Sequence, residues 1–262
     1  AFAQVDHAAF AFSGEVGESS LFHIKDSIIR QMAGAGLSIT VNGLAQLDRV
    51  LLTFNAGPAL QVDGSGRMRL REVQIEGNGQ EGILLNNAAL EALEVEIVNN
   101  GLLDPEDPRS GLRGVGGSGQ KIELWNARIE RNTQHGVDLQ QWLGEVELHN
   151  ARISSNFSDG LRAGRMQRLV FEQVQVQRNL GAGVVVDSAM VELWTSEVLA
   201  NIGAALYLGP GSRGAIEMSR FGNGPGAVLD GIGPLVVRTS SFENAPVGLR
   251  IIDGEPVLVG NR

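Results

Sequence analysis

The sequence predicts an all-β solenoid of about ten coils, each of 21–25 residues with three short strands, and three observations carry that reading. First, Asn55, Asn78, Asn132, Asn156, Asn179, Asn201, Asn223 and Asn244 are each followed five positions later by an aliphatic residue, from Leu60 and Ile83 to Val228 and Leu249. Asn100 and Leu112 make a ninth copy with about seven extra residues between them. Second, apolar residues stand ten, eight and three positions before most of these Asn, as Ile122, Leu124 and Ile129 do before Asn132. Val146, Leu148 and Ile153 precede Asn156 in the same way. Third, the apolar letters alternate at period two within each stretch, the mark of strands with one buried face, and the gaps leave no room for a helix.

Taken in chain order, residues 1–20, with "AAFAF" and a Gly- and Ser-containing run, fit an N-terminal cap or an irregular first coil. Phe22, Ile24 and Ile29 begin the repeat, with Met32 in the Asn place. Each later coil then supplies one stretch after a Gly (Val137 and Leu139), a second (Val146 and Leu148) and a short third around Ile153. At about 4.8 Å per layer the stack makes a rod on the order of 50 Å long. The recurrent Asn and Gly, the latter at Gly82, Gly136, Gly160, Gly183 and Gly248, are read as residues that accept left-handed backbone angles at sharp turns. Stacked Asn side chains are expected to hydrogen-bond from coil to coil. The segment 101–110, "GLLDPEDPRS", is an inserted surface loop. The last letters, "VLVGNR", start a new coil, which predicts an open edge, end-to-end self-association or further domains of a longer parent chain.

The patterns "N-x4-[LIV]-x-[LIV]" and "[VIL]-x-L-x4-[IV]-x-x-N", running over roughly residues 20–250, resemble the right-handed parallel β-helix of the pectin-lyase-like superfamily. Leucine-rich repeats are excluded because four non-core letters follow each Asn, and left-handed hexapeptide helices because no period near six is present. The resemblance implies one right-handed parallel β-helix domain over 1–262. It also implies a secreted bacterial protein: extracellular, periplasmic or at the cell surface. Pectate and pectin lyases, polygalacturonases, alginate epimerases, phage tailspikes and noncatalytic adhesin stalks all use this fold, so the fold does not name an activity.

A formal charge of −9 argues against a nucleic-acid partner, which needs a concentrated positive field. No apolar stretch is long enough to span a membrane as a helix, so no membrane insertion is expected. With no cysteine there is no disulfide frame or thiolate site, and His7, His23, His135 and His149 show no metal-ligand spacing; no metal and no cofactor are expected. "TQHGV" around His135 lacks the Gly-His-Gly stretch and Asp pair expected of galacturonase-type enzymes.

Register shows which outward positions stack. One column reads Arg113, Asp138, Arg162, and a neighbouring one Glu81, Ser110, His135, Asp159. Asp104 and Arg109 of the inserted loop lie near this patch. On a catalytic reading, Arg113 or Arg162 neutralises a uronate carboxylate while His135 or Asp138 moves the proton, with Asp159 in the same catalytic set and Glu81, Asp104 and Arg109 binding substrate. On the plainer reading the charges pair with one another. A second column reads Trp125, His149, Glu172, Trp194, in which Trp125, His149 and Trp194 offer flat faces to sugar rings. Beside it stand Glu123, Glu147 and Glu192, with Arg128 and Arg152 across the next turn as their expected partners. Sparse aromatics favour a noncatalytic scaffold or binding domain with a polysaccharide partner. The alternative is a uronate-polysaccharide lyase, epimerase or glycoside hydrolase.

Overall fold

The structure is a computed structural model that describes residues 3–6, 12–102 and 109–262. Among these residues there are 29 strands, paired in parallel, and no helix long and apolar enough to cross a membrane. One coil shows the plan. Val137–Trp142 lies in a first sheet, Glu145–His149 in a second and Arg152–Ser154 in a third. Each strand pairs with its equivalents one coil earlier and one coil later, as Val146 does with Ile122 and Leu169. Stacking reaches toward the chain start: Ala3–Asp6 pairs with Ser27–Arg30, and Phe12–Val16 with Leu37–Val41. The result is the parallel β-helix that the repeat predicts.

The alternating apolar letters point inward. Val137, Leu139, Val146, Leu148 and Ile153 are all buried, and so are their counterparts along the rod. Each such side chain contributes on the order of 2 kcal/mol by leaving water. Trp142 is wholly buried as well. It lies against Gly114 and Gly117, where any Cβ would meet its ring.

Asn55, Asn78, Asn100, Asn132, Asn156, Asn179 and Asn201 form a continuous buried ladder. Asn132 donates from its backbone N and from Nδ2 to Oδ1 of Asn156, each at 3.0 Å, and Nδ2 also reaches the Ile97 carbonyl at 3.2 Å. The same bonds recur at Asn78, Asn156 and Asn179, so the buried amide groups of the turn are satisfied.

Two expectations are corrected here. The left-handed angle falls on the residue before the ladder Asn, such as Arg131, Ser155 and Arg178, and again at Asn126, Asn150 and Gln173 between the second and third sheets. Ladder Asn and the recurrent Gly do not need it. Gly136 is required by proximity instead, because a Cβ there would come within 2.6 Å of Ile153 Cγ2 and 2.7 Å of Asn156 Nδ2. Asn223 and Asn244 also leave the buried series, since the shortened last coils place them at the left-handed position itself, where they pair with each other at 3.0 Å. Across these coils a second ladder continues at the other turn: Ser196, Ser219, Ser240 and Asn261 each accept from the backbone N one coil back.

Candidate functional site

The outer face of the first sheet holds the first predicted column in register, with Arg113 beside Asp138 and Asp138 beside Arg162. The side chains, however, choose partners outside that column. Glu81, only 2% exposed, receives Arg109 at 3.3 Å and Arg113 at 3.4 Å. Arg113 approaches Asp138 only to 3.9 Å. Arg162 turns back three residues to Asp159 at 3.1 Å. Asp159 Oδ1 accepts from the Ala182 backbone N at 2.7 Å, and its own N donates to His135 Nδ1 at 3.2 Å.

His135 is therefore a buried acceptor within this network, 5% exposed. Burial pushes its imidazole below the ordinary value of 6.5, outweighing the pull of Asp159 and Asp138, and Arg162 pushes the same way as burial. Beside Arg113 and Asp138 the surface has a hollow of about 100 Å³, lined also by Gly114, Gln140 and Gln141. Asp104 lies outside the described residues.

The outer face of the second sheet brings together different groups. Trp125 and His149 stack with ring centroids 3.8 Å apart and planes 9° from parallel. Trp194 lies two layers beyond His149, separated from it by Glu172. The acidic column is paired by Lys121 and Arg168. Lys121 Nζ stands 2.7 Å from Glu147 and 3.3 Å from Glu123, while Arg168 bridges Glu147 at 2.9 Å and Glu192 at 2.8 Å. Arg128 and Arg152 are not its partners, because the turn carries them to Glu96 and Glu130 instead. Burial pushes the Glu147 carboxyl up, but Lys121, His149 and Arg168 together outweigh it and hold the group below its ordinary range.

Trp125, 41% exposed, also closes one end of a groove of about 290 Å³. Leu93 and Ala92 form part of its floor, and Arg69, Arg71 and Asp48 line the other side. Arg71 and Trp125 are one layer either side of Leu93. Arg69 is held by Glu91 at 2.9 Å, whereas Arg71 is well exposed and only loosely held, 3.7 Å from Glu72. Arg69 and Arg71 were not among the predicted site residues. The same two columns, carried two coils toward the chain start from Trp125 and Glu123, reach Arg71 and Arg69.

In sequence, the family described as right handed beta helix region matches residues 15–161 and, in an overlapping second match, 59–198. No curated protein sequence matches the chain. Among solved structures, the Dettilon tailspike protein (gp208) superposes with a TM-score of 0.54 at 9% identity, over 95% of this chain. This chain spans 62% of the length of that tailspike chain. The periplasmic alginate epimerase AlgG superposes with a TM-score of 0.48 at 11% identity, over 100% of this chain and 77% of the epimerase. At such identities the likeness to the tailspike is one of fold.

Proposed function

The chain belongs to the right-handed β-helix family, and from that premise we propose that it is a noncatalytic scaffold that binds an acidic polysaccharide along the outer face of its second sheet. The observation that carries this reading is the groove between Arg71 and Trp125: an exposed indole face, an apolar floor at Leu93 and a loosely held guanidinium. A sugar ring has flat patches of C–H that pack on an indole, and a uronate adds a carboxylate that a guanidinium receives bidentately. At about 4.8 Å per layer, the span from Arg71 to Trp125 is on the order of 10 Å, the scale of one to two sugar rings.

What supports binding over catalysis is the state of the other face. Its arginines are spent on Glu81 and Asp159, and His135 is buried with Nδ1 already accepting a hydrogen bond. A general base must reach its proton directly or through one water. An extracellular, periplasmic or cell-surface location belongs to the same proposal and rests on the family resemblance.

Titration with oligouronates, read by tryptophan fluorescence, is expected to show saturable binding. Trp125→Ala and Arg71→Ala should each weaken it by about tenfold, with no unsaturated or reducing ends released. A panel of acidic polysaccharides that neither binds nor responds to Trp125→Ala would overturn the reading, and release of chain ends would move the function to the first sheet.

A further inference from the structure

The second sheet holds a set of groups that sugar recognition does not use. Glu123, Glu147 and His149 come from two successive coils, and their ligand atoms all lie within 4.8 Å of one another. His149 is 9% exposed, and its Nε2 has no hydrogen-bond partner among the described residues. Its Nδ1 meets Glu172 Oε2 at 3.0 Å. A carboxylate can only accept, so Nδ1 carries the proton in that hydrogen bond, and a metal that takes the place of the Nε2 proton would find the Nε2 lone pair on the side of Glu147. Nε2 stands 3.5 Å from Glu147 Oε2, too long for a hydrogen bond. That spacing matches the edge of a tetrahedron whose metal–ligand distances are about 2.1 Å, which comes to about 3.4 Å.

Each of the three groups is also held from behind. Arg168 takes Glu147 Oε1 at 2.9 Å and Trp125 Nε1 takes Glu123 Oε1 at 3.0 Å, which leaves Oε2 of both carboxylates facing inward. Glu172 fixes the imidazole, and the Trp125 ring packs on its face. Outer partners of this kind orient metal ligands and set their basicity. A positive charge already sits at this position. Lys121 Nζ contacts Glu147 Oε2 and Glu123 Oε2, the same two oxygens that face inward. Its side chain is 39% exposed, and a flexible four-carbon stem carries the ammonium.

We propose that Glu123, Glu147 and His149 form a site for a divalent transition metal of the zinc class, which the Lys121 ammonium occupies in its absence and from which the metal displaces it. The donor set is two carboxylate oxygens and one imidazole nitrogen, with a fourth position open to water. Calcium is disfavoured, because it takes six to eight oxygen ligands. The site does not depend on the carbohydrate reading.

The test uses tag-free protein with no sugar present, titrated with Zn2+ by calorimetry and with Co2+ by tryptophan fluorescence and visible absorption. One equivalent is expected to bind. Co2+ should quench Trp125, because that ring stacks on the ligand imidazole, and Trp125→Phe should remove the quenching and, by losing the indole donor to Glu123 Oε1, weaken Zn2+ binding by about tenfold without abolishing it. His149→Ala and Glu147→Gln should each lower affinity at least tenfold with the circular-dichroism spectrum unchanged, and Glu172→Gln about tenfold. Lys121→Met should bind more tightly than the natural chain. Binding that survives His149→Ala overturns the site, as does an absence of binding in both the natural chain and Lys121→Met. A Lys121→Met protein that binds no more tightly overturns the displacement.

Discussion

His135 shows how a residue that looks catalytic in sequence becomes structural. The imidazole is held neutral by burial, with Nδ1 accepting from the Asp159 backbone and Asp159, Asp138 and Arg162 as the charges facing it. Its folded-state affinity for protons is therefore lower than in the unfolded chain. Above about pH 6.5 both states are neutral and the group has no effect. Below that pH the unfolded chain takes up a proton that the folded one refuses, and stability falls until the folded-state pKa is passed. The slope from one such group is at most about 1.4 kcal/mol per pH unit. His135→Gln removes it, so the stability advantage of the natural chain over the variant should shrink as pH falls from 7 to 5. Urea unfolding at several pH values measures this, and a difference that stays constant would contradict the buried neutral ring. Glu130 and Glu147 act in a lower window. Burial raises both, but Ser154 and Arg128 at Glu130, and Lys121, His149 and Arg168 at Glu147, outweigh it. Their stabilisation is present above the ordinary carboxylate range and is lost as pH falls through their depressed folded values.

At the level of the element, the turns hold the coils in register. Asn132→Ala deletes the acceptor for both the backbone N and Nδ2 of Asn100, and the Nδ2 that donates to Asn156 and to the Ile97 carbonyl. Several buried groups lose partners together, so the cost should be about 3 kcal/mol. Ser219→Ala removes one acceptor, for Ser196 N, and a hydroxyl that bonds the Glu217 carbonyl within its own turn, and should cost about 1 kcal/mol. Denaturant midpoints of the two variants measure the order, and equal costs would mean that the Asn ladder is no more than turn geometry. The spacing of Asn and aliphatic letters was enough to read strands, coils and ladder, because the period of the chain is the period of the stack. The site of the left-handed bend was not legible, since Arg131, Ser155, Arg178 and Gln173 take it without sharing a chemical type. Nor was it legible which carboxylate an arginine would choose. Arg162 has Asp138 beside it in the sheet yet pairs with Asp159, a choice made by side-chain reach and turn geometry. The expectation of no metal spacing was read from the four His alone, whereas in a solenoid residues one coil apart, such as Glu123 and Glu147, also stand side by side.

At the scale of the whole molecule, each coil touches mainly the one before and the one after it, so the rod behaves as a one-dimensional stack. A complete coil should then be removable, provided that the cut respects the period. The segment from Asn179 to Ala200 is the favourable choice, because Asn179 and Asn201 are successive rungs 22 residues apart. Its removal sets Asn156 opposite Asn201, and Val174, which now bonds Ser196, opposite Ser219, so both ladders are preserved. In the core, Leu161 meets Leu206, Phe171 meets Ile216 and Val176 meets Phe221, all buried and apolar. Glu123, Glu147 and His149 stay in place, although Arg168 gives up Glu192. The shortened chain should keep its β-sheet circular-dichroism spectrum and a sharp thermal transition, lowered by several degrees. Removing only 179–189 instead breaks both ladders and sets first-sheet strands against second-sheet ones, and it should abolish the transition. If the complete-coil deletion also fails to fold, stability is shared along the whole rod and the coil is not its unit.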